Sequence, residues 1–377
     1  MRPARLDASP ELLTLEWPDG ERQGLTALWL LDNAPEHRDA HSNQRLIDIA
    51  DLPPAPRIRA ACLEEDGVRI DWEGPTATVR LSTDWLARHR ASVRAAAAPG
   101  PRRWLDGARR DLLRDFAVAA LPTLAAERAA RRDWLERLLA DGLALITAVP
   151  GTDTGILEAM ALVGQVQETN YGRVFEVRSV PQPENLAYSD LGLGLHTDNP
   201  YREPVPGFQA LHALVVSPEG GDSLFADGFA LAEDLRQRDP DAFATLARTP
   251  VPFHYRSRDA ELYAQRPLIE LDCRGEVIAV SYNSRSIAPL SLEPGALARF
   301  YQAYRRFAER LRDPALMLRH RLAAGEIVVF DNRRILHGRT AFSSARHPRH
   351  LRGCYLTGDS VRSTAALLSR PIEGAHA

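Results

Sequence analysis

Two short motifs carry the residue types from which a metal centre is built. The first is Leu195-His196-Thr197-Asp198. In a strand, residues i and i+2 face the same way, so His196 and Asp198 can grip one ion. The second is Ile335-Leu336-His337-Gly338-Arg339, just after the apolar run EIVVFDN. Two histidines and one carboxylate on one face of a metal leave three positions open, the arrangement of non-haem Fe(II) oxygenases. Zinc on the same ligands would serve hydrolysis instead. No Glu stands at H-E-x-x-H spacing to act as its base, and there is no G-x-S-x-G elbow. The structural alternatives are a turn cap for His196 and Asp198 and a core position for His337. His212 lies in an apolar run and reads as core. His254, His320, His347, His350 and His376 have no partner at ligand spacing. Gly192-Leu193-Gly194 does not continue as G-x-G-x-x-G, which argues against a dinucleotide site.

The elements that must hold these residues are mostly short strands. Residues 12–17 read as a strand, Pro18-Asp19-Gly20 as a turn, and 25–31, 67–72 and 76–81 as further strands. They form a small β-rich N-terminal domain over 1–95, followed by a Pro/Gly-bearing linker at 91–101. Helical spacing covers 104–120, 124–141, 155–164, 229–248 and 294–312, and LALITAV (143–149) is a strand. From about 174 onward strand-like runs dominate: VFEVRSV, FQALHALVV, VIAVSY, EIVVFDN and LRGCYL. Strands with a few flanking helices, and no βα alternation, argue for a mainly β catalytic domain over 96–377, a barrel or jelly roll.

Composition narrows the chemistry. The 377 residues contain no lysine, so all 47 basic residues are arginine. That excludes Schiff-base and pyridoxal-phosphate chemistry and a Walker P-loop, which need a lysine amine. A net charge of −3 gives no push towards nucleic acid or anionic lipid. No run approaches the ~20 apolar residues of a membrane span, and MRPARLDASPELL lacks the apolar core of a secretory signal. Cys62, Cys273 and Cys354 are too few for a disulfide framework. A cytoplasmic protein with a small-molecule substrate, and neither nucleic-acid nor membrane partners, is expected.

In ETNYGRVFEVRS (168–179), ENLAYSDLGLGLHTDNP (184–200), PGFQALHAL (206–214), GGDSLFADG (220–228), VVFDNRRILHGR (328–339) and RHLRGCY (349–355), the sequence resembles the γ-butyrobetaine/trimethyllysine dioxygenase family of Fe(II)/2-oxoglutarate oxygenases. The N-terminal WPDG…WLLDN resembles it too. The resemblance implies a double-stranded β-helix (jelly roll) catalytic domain. It implies Fe(II) held by His196, Asp198 and His337, with 2-oxoglutarate and O2 as co-substrates and ascorbate stimulatory. Arg349 matches the family's 2-oxoglutarate arginine, with Arg346 its nearby competitor, and Ser223 adds a hydroxyl. A guanidinium fork suits a carboxylate. Related halogenases lack the iron-binding carboxylate, so Asp198 implies hydroxylation. The family's enzymes are often dimers, which allows a homodimer here.

The resemblance also implies a substrate. Tyr171, Phe175, Tyr188 and Tyr355 match an aromatic cage for a trimethylammonium group, a cation–π device. Asn185 and Asn283 match positions that bind the substrate's carboxylate. Two departures stand out: Asn199 replaces an aromatic residue common in the butyrobetaine enzymes, and Arg285 lies two residues past Asn283. An added guanidinium suits a more highly charged anion such as a phosphonate. HTDNPYR resembles the branch that hydroxylates 2-(trimethylamino)ethylphosphonate at its 1-position, a step in organophosphonate use. The alternatives are γ-butyrobetaine hydroxylation to L-carnitine, the same chemistry on a sulfonate or an unmethylated amine, and a non-catalytic ligand-binding jelly roll. The family's N-terminal zinc cysteines are absent: LLDNAPEHRDAHSNQRL (30–46) offers Glu36, His37, Asp39 and His41, with His89 alone further on. No zinc is expected there.

Overall fold

Ile327, Val328, Val329 and Phe330 are apolar at every position and fully buried. A run of this kind forms a strand covered on both faces. Here the strand Ile327–Asp331 lies inside a seven-stranded sheet ordered Phe175–Arg178, His350–Leu356, Phe208–Val215, Ile327–Asp331, Leu143–Thr147 and Ala117–Ala120, with Val166–Gln167 pairing beside His350–Leu356. All of these pairs are antiparallel except Ala117–Ala120 with Leu143–Thr147. The computed structural model describes residues 1–90, 100–105, 116–179, 189–343 and 348–370. The chain divides into two compact units, Met1–Pro99 and Gly100–Ala377.

In the second unit, one face of this sheet packs Phe208, Ala210, Ile327 and Val329 against Trp134, Leu135 and Leu138 of helix Arg128–Asp141, Met160 of helix Gly155–Ala161 and Val361 of helix Gly358–Ser369. The other face turns Val328, Phe330 and Leu351 inward onto Phe225 and Leu318. Phe225 belongs to a four-stranded sheet ordered Leu193–His196, Ile335–Arg339, Ser223–Asp227 and Leu318–His320. Two antiparallel sheets facing one another, with helices outside, make this unit a jelly roll. Between the strands of the second sheet, residues 228–311 form helices Gly228–Arg238, Pro240–Arg248 and Pro294–Leu311 and the hairpins Val251–Arg256/Glu261–Arg266 and Ile269–Leu271/Val277–Val280.

The first unit holds two three-stranded antiparallel sheets, Arg5–Ala8/Leu12–Glu16/Arg22–Thr26 and Ile58–Leu63/Gly67–Trp72/Val79–Ser82. Their alternating residues Leu13, Leu15, Val68, Ile70, Trp72, Val79 and Leu81 share one core. His37 and His89 each pair a ring nitrogen with a local carbonyl, Leu31 O (3.0 Å) and Trp85 O (2.7 Å).

Several boundaries differ from the sequence reading. The strand expected at 25–31 ends at Thr26, whose side chain accepts the Trp29 N–H and starts helix Ala27–Asp32; an N-cap overrides the apolar run. The helix expected at 104–120 gives way at its end to strand Ala117–Ala120, while 106–115 lie outside the described residues. The 229–248 helix breaks at Asp239-Pro240, where Asp239 caps the second half by accepting the Ala242 N–H. Residues 91–99 of the expected linker are outside the described residues. No helix among the described residues is long and apolar enough to cross a membrane.

Candidate active site

His196 and His337 are partners across the antiparallel pair Leu193–His196/Ile335–Arg339. Asp198 stands past the strand's end, in the turn that follows. The strand alternation expected for His196 and Asp198 therefore places only the histidine. The carboxylate is brought round by the turn, with its Oδ1 3.2 Å from His196 Nε2 and its Oδ2 3.8 Å from His337 Nε2. One ligand atom from each residue lies within 4.8 Å of the others. His196 Nδ1–H donates to Gly194 O (2.9 Å), which leaves the Nε2 lone pair for a metal. Burial, the neighbouring His196 and Arg285 push the His337 imidazole down to about 3, so it is a neutral ligand at physiological pH. Burial alone would raise the Asp198 carboxyl, but His196, His337 and Tyr355 hold it well below its ordinary value. Two imidazoles and a carboxylate converging on one point fit a divalent iron with one face left open.

The two residues expected to meet 2-oxoglutarate, Arg349 and Ser223, line the same cavity. Arg349 is buried and its Nε donates to Gly221 O (3.1 Å). Burial beside Arg339 pushes its guanidinium down to about 10, which keeps it cationic at neutral pH. Gly221 has φ +69°, and a Cβ there would stand 2.8 Å from Arg349 Cδ. Ser223 is buried and lines the cavity with Arg349. Arg346 lies outside the described residues.

The cavity holds about 370 Å³ and is lined by Arg349, by the triad and by a wall of aromatic residues. Tyr171, Phe175 and Tyr355 are brought together there, with Phe175–Tyr355 ring centroids 5.0 Å apart and Tyr171–Phe175 6.4 Å apart. Asn185 and Tyr188 lie outside the described residues. Asn283 lines the cavity, but its Nδ2 already donates to Thr197 O (3.1 Å) and its Oδ1 accepts the Arg285 N–H (3.2 Å). Asn199 has a left-handed backbone (φ 56°) and accepts the Tyr201 hydroxyl at 2.7 Å. Arg285 opens onto the cavity, and its guanidinium has no hydrogen-bond or ion-pair partner among the described residues. Desolvation lowers its pKa, with Asp198 opposing. Among the described residues, four arginines (256, 285, 339 and 349) and one carboxylate, Asp198, line the cavity.

Sequence reasoning missed Tyr201, Tyr255 and Gln209. Tyr255 stacks on Tyr201 (5.0 Å, 19°) and meets Tyr171 edge-on (6.1 Å). Tyr201 sits inside HTDNPYR and was within reach. Gln209 is an amide in an otherwise apolar strand, buried and with its Oε1 unpartnered, which is itself a signal of an inward-facing site residue. Nothing in PFHYR marked Tyr255.

Residues 108–355 match the family model described as "Taurine catabolism dioxygenase TauD, TfdA family". The chain is 33% identical over 366 residues to a γ-butyrobetaine dioxygenase of Pseudomonas sp. (strain AK-1), covering 95% of this chain and 94% of that one. It is 27% identical over 386 residues to the Homo sapiens γ-butyrobetaine dioxygenase, covering 97% and 96%. A mitochondrial trimethyllysine dioxygenase of Bos taurus is 28% identical over 351 residues, covering 90% and 82%.

Proposed function

The chain belongs to the TauD, TfdA family and is an Fe(II)- and 2-oxoglutarate-dependent dioxygenase, and from that premise we propose that it hydroxylates 2-(trimethylamino)ethylphosphonate. The observation that carries the phosphonate is Arg285, a cation turned into the cavity without a protein partner among the described residues. The side chain is solvent-exposed where it lines the cavity, so its charge is free to form charge-assisted hydrogen bonds with an anionic group that enters. Arg256 lines the same cavity and adds to the positive field that favours an anion of higher charge than a carboxylate.

In this reading His196, Asp198 and His337 hold the iron, and Arg349 with Ser223 takes the far carboxylate of 2-oxoglutarate. Iron with 2-oxoglutarate and O2 supplies the oxidising power, giving succinate, CO2 and the hydroxylated product. The chain's own work is placement. Tyr171, Phe175, Tyr188 and Tyr355, joined by Tyr201 and Tyr255, receive the trimethylammonium group on their π faces, since that cation has no N–H to donate. Arg285 takes the phosphonate; Asn199 and Asn283 line the same cavity, and Asn185 is assigned to this end by the resemblance alone. Gripping both ends leaves the carbon between them facing the triad. The aromatic wall also keeps water out of that half of the cavity.

The second reading is γ-butyrobetaine hydroxylation to L-carnitine, favoured by the 33% identity to the Pseudomonas enzyme. The test is succinate formation with Fe(II), ascorbate and 2-oxoglutarate, run in parallel on the two substrates. A kcat/KM for the phosphonate about tenfold or more above that for γ-butyrobetaine, the scale of ~1.4 kcal/mol, is expected. A preference for γ-butyrobetaine moves the function to the second reading.

A further inference from the structure

We propose that Asn332 and Tyr355 are positioning residues of the iron centre, acting through Asp198. Asp198 has left the strand that carries His196, so ladder hydrogen bonds do not fix it. Asn332 takes their place. Its side chain is fully buried, its Oδ1 accepts the Asp198 N–H at 2.8 Å, and its Nδ2 donates back to Asp198 O at 3.0 Å and to Pro206 O at 3.1 Å. One amide thus closes on both backbone groups of the ligand residue, as a neighbouring strand would. Asn332 lies in the turn joining strands Ile327–Asp331 and Ile335–Arg339, five residues before His337. The clamp therefore ties the carboxylate ligand to the turn between the two sheets that leads into the strand presenting the distal histidine.

Tyr355 completes the hold from the side chain. Its hydroxyl donates to Asp198 Oδ2 at 2.8 Å, while Oδ1 is the oxygen that faces His196 Nε2. The tyrosine is buried, and its hydroxyl stays protonated because desolvation and the adjacent carboxylate both disfavour the phenolate. With Oδ2 held by a donor, Oδ1 would be the oxygen left to hold the metal. The ring of Tyr355 serves the aromatic wall; its hydroxyl serves the iron.

Partners of this kind around a metal ligand are worth about 10–100-fold in metal affinity. The proposal rests on iron binding by the triad, so the experiment separates the two. Fe(II) is titrated anaerobically into the full-length protein with 2-oxoglutarate and no substrate, following the Fe(II)–2-oxoglutarate charge-transfer absorption, for wild type, Asp198→Ala, Tyr355→Phe and Asn332→Ala. Metal-free unfolding temperatures are measured alongside. Asp198→Ala is expected to abolish the signal; if it titrates like wild type, the triad itself is wrong. Tyr355→Phe keeps the ring, and is expected to unfold near the wild-type temperature, weaken Fe(II) by about 10–100-fold and shift the absorption maximum. Wild-type affinity in Tyr355→Phe overturns the proposal whatever Asn332→Ala does. A weaker affinity with an unmoved absorption maximum overturns it too, as general loosening of the site. Asn332→Ala is expected to lose more affinity than Tyr355→Phe, and a folded Asn332→Ala that binds iron normally removes Asn332 from the clamp.

Discussion

His196 and His337, 141 positions apart in the chain, face each other across one antiparallel strand pair with ring centroids 4.3 Å apart. A pair fixed by backbone ladders is positioned before any metal arrives, so neither ring is needed for the strands to form. Replacing either by alanine is expected to leave the unfolding temperature of the metal-free protein nearly unchanged. Iron retention and 2-oxoglutarate decarboxylation should fall by more than about 100-fold, beyond the cost of losing an outer partner. Iron content and succinate yield measured together check this, and substantial turnover in His337→Ala would remove the residue from the metal centre.

Arg349 lines the cavity, anchored by Gly221 O. Truncating one member of a buried charge pair costs about 2–5 kcal/mol, so Arg349→Ala should raise the KM for 2-oxoglutarate by at least ~30-fold. The KM for the trimethylammonium substrate should move little. Arg349→Lys keeps the charge but not the fork and should recover only part of the loss. Steady-state kinetics with 2-oxoglutarate varied decides it; equal effects on both KM values would mean that the arginine shapes the whole cavity.

How much of this was legible beforehand depended on whether a residue's role is local. The residue types of the triad and the apolar strands FQALHALV and EIVVFDN carry a local signal, whereas Arg349 is assigned by the resemblance alone. The jelly-roll unit follows from those strands. What escaped depends on backbone meeting backbone at long range. Asp198 reads as a strand neighbour of His196 but is placed by a turn that Asn332 closes from 134 residues away. Tyr255 reaches the cavity only because the hairpin Val251–Arg256/Glu261–Arg266 lies beside it. Helix ends failed where a single cap, Thr26 or Asp239, outweighed the apolar pattern around it.

Tyr255 gives a direct test of the enlarged aromatic wall. Its ring stacks on Tyr201, and both line the cavity. Cation–π contacts contribute roughly 0.5–2 kcal/mol, so Tyr255→Leu should raise the KM for a quaternary ammonium substrate by about 2–30-fold. The inhibition constant of the neutral isostere bearing a tert-butyl group should stay within about twofold, because that group loses only packing. A parallel weakening of both compounds would make Tyr255 a shape residue with no electrostatic part.

Gly353 and Phe175 are cross-strand partners, and a Cβ at Gly353 would stand 2.3 Å from Phe175 Cε2. Gly353→Ala must therefore turn the Phe175 ring out of its place beside Tyr355. Overpacking of this kind costs about 1–3 kcal/mol. The expected result is a lower unfolding temperature and a raised KM for the trimethylammonium substrate, with Fe(II) affinity retained. A Phe175→Leu background should show no further loss in KM when Gly353→Ala is added; additive losses would mean that the glycine acts elsewhere.

Arg285 is the residue on which the substrate turns. Asn283 Oδ1 holds its backbone N–H, its side chain opens onto the cavity, and no partner among the described residues neutralises it. A charge-assisted hydrogen bond contributes about 1.5–3 kcal/mol, so Arg285→Ala should lower kcat/KM for 2-(trimethylamino)ethylphosphonate by roughly 10–100-fold. For γ-butyrobetaine the loss should be several-fold smaller, since a carboxylate carries less charge and Asn283 stands next to it. Arg285 is not one of the three metal-ligand residues, so the variant should still load Fe(II). Equal losses on the two substrates, in an enzyme that still loads iron, would show that Arg285 shapes the cavity without reading the charge of the anion.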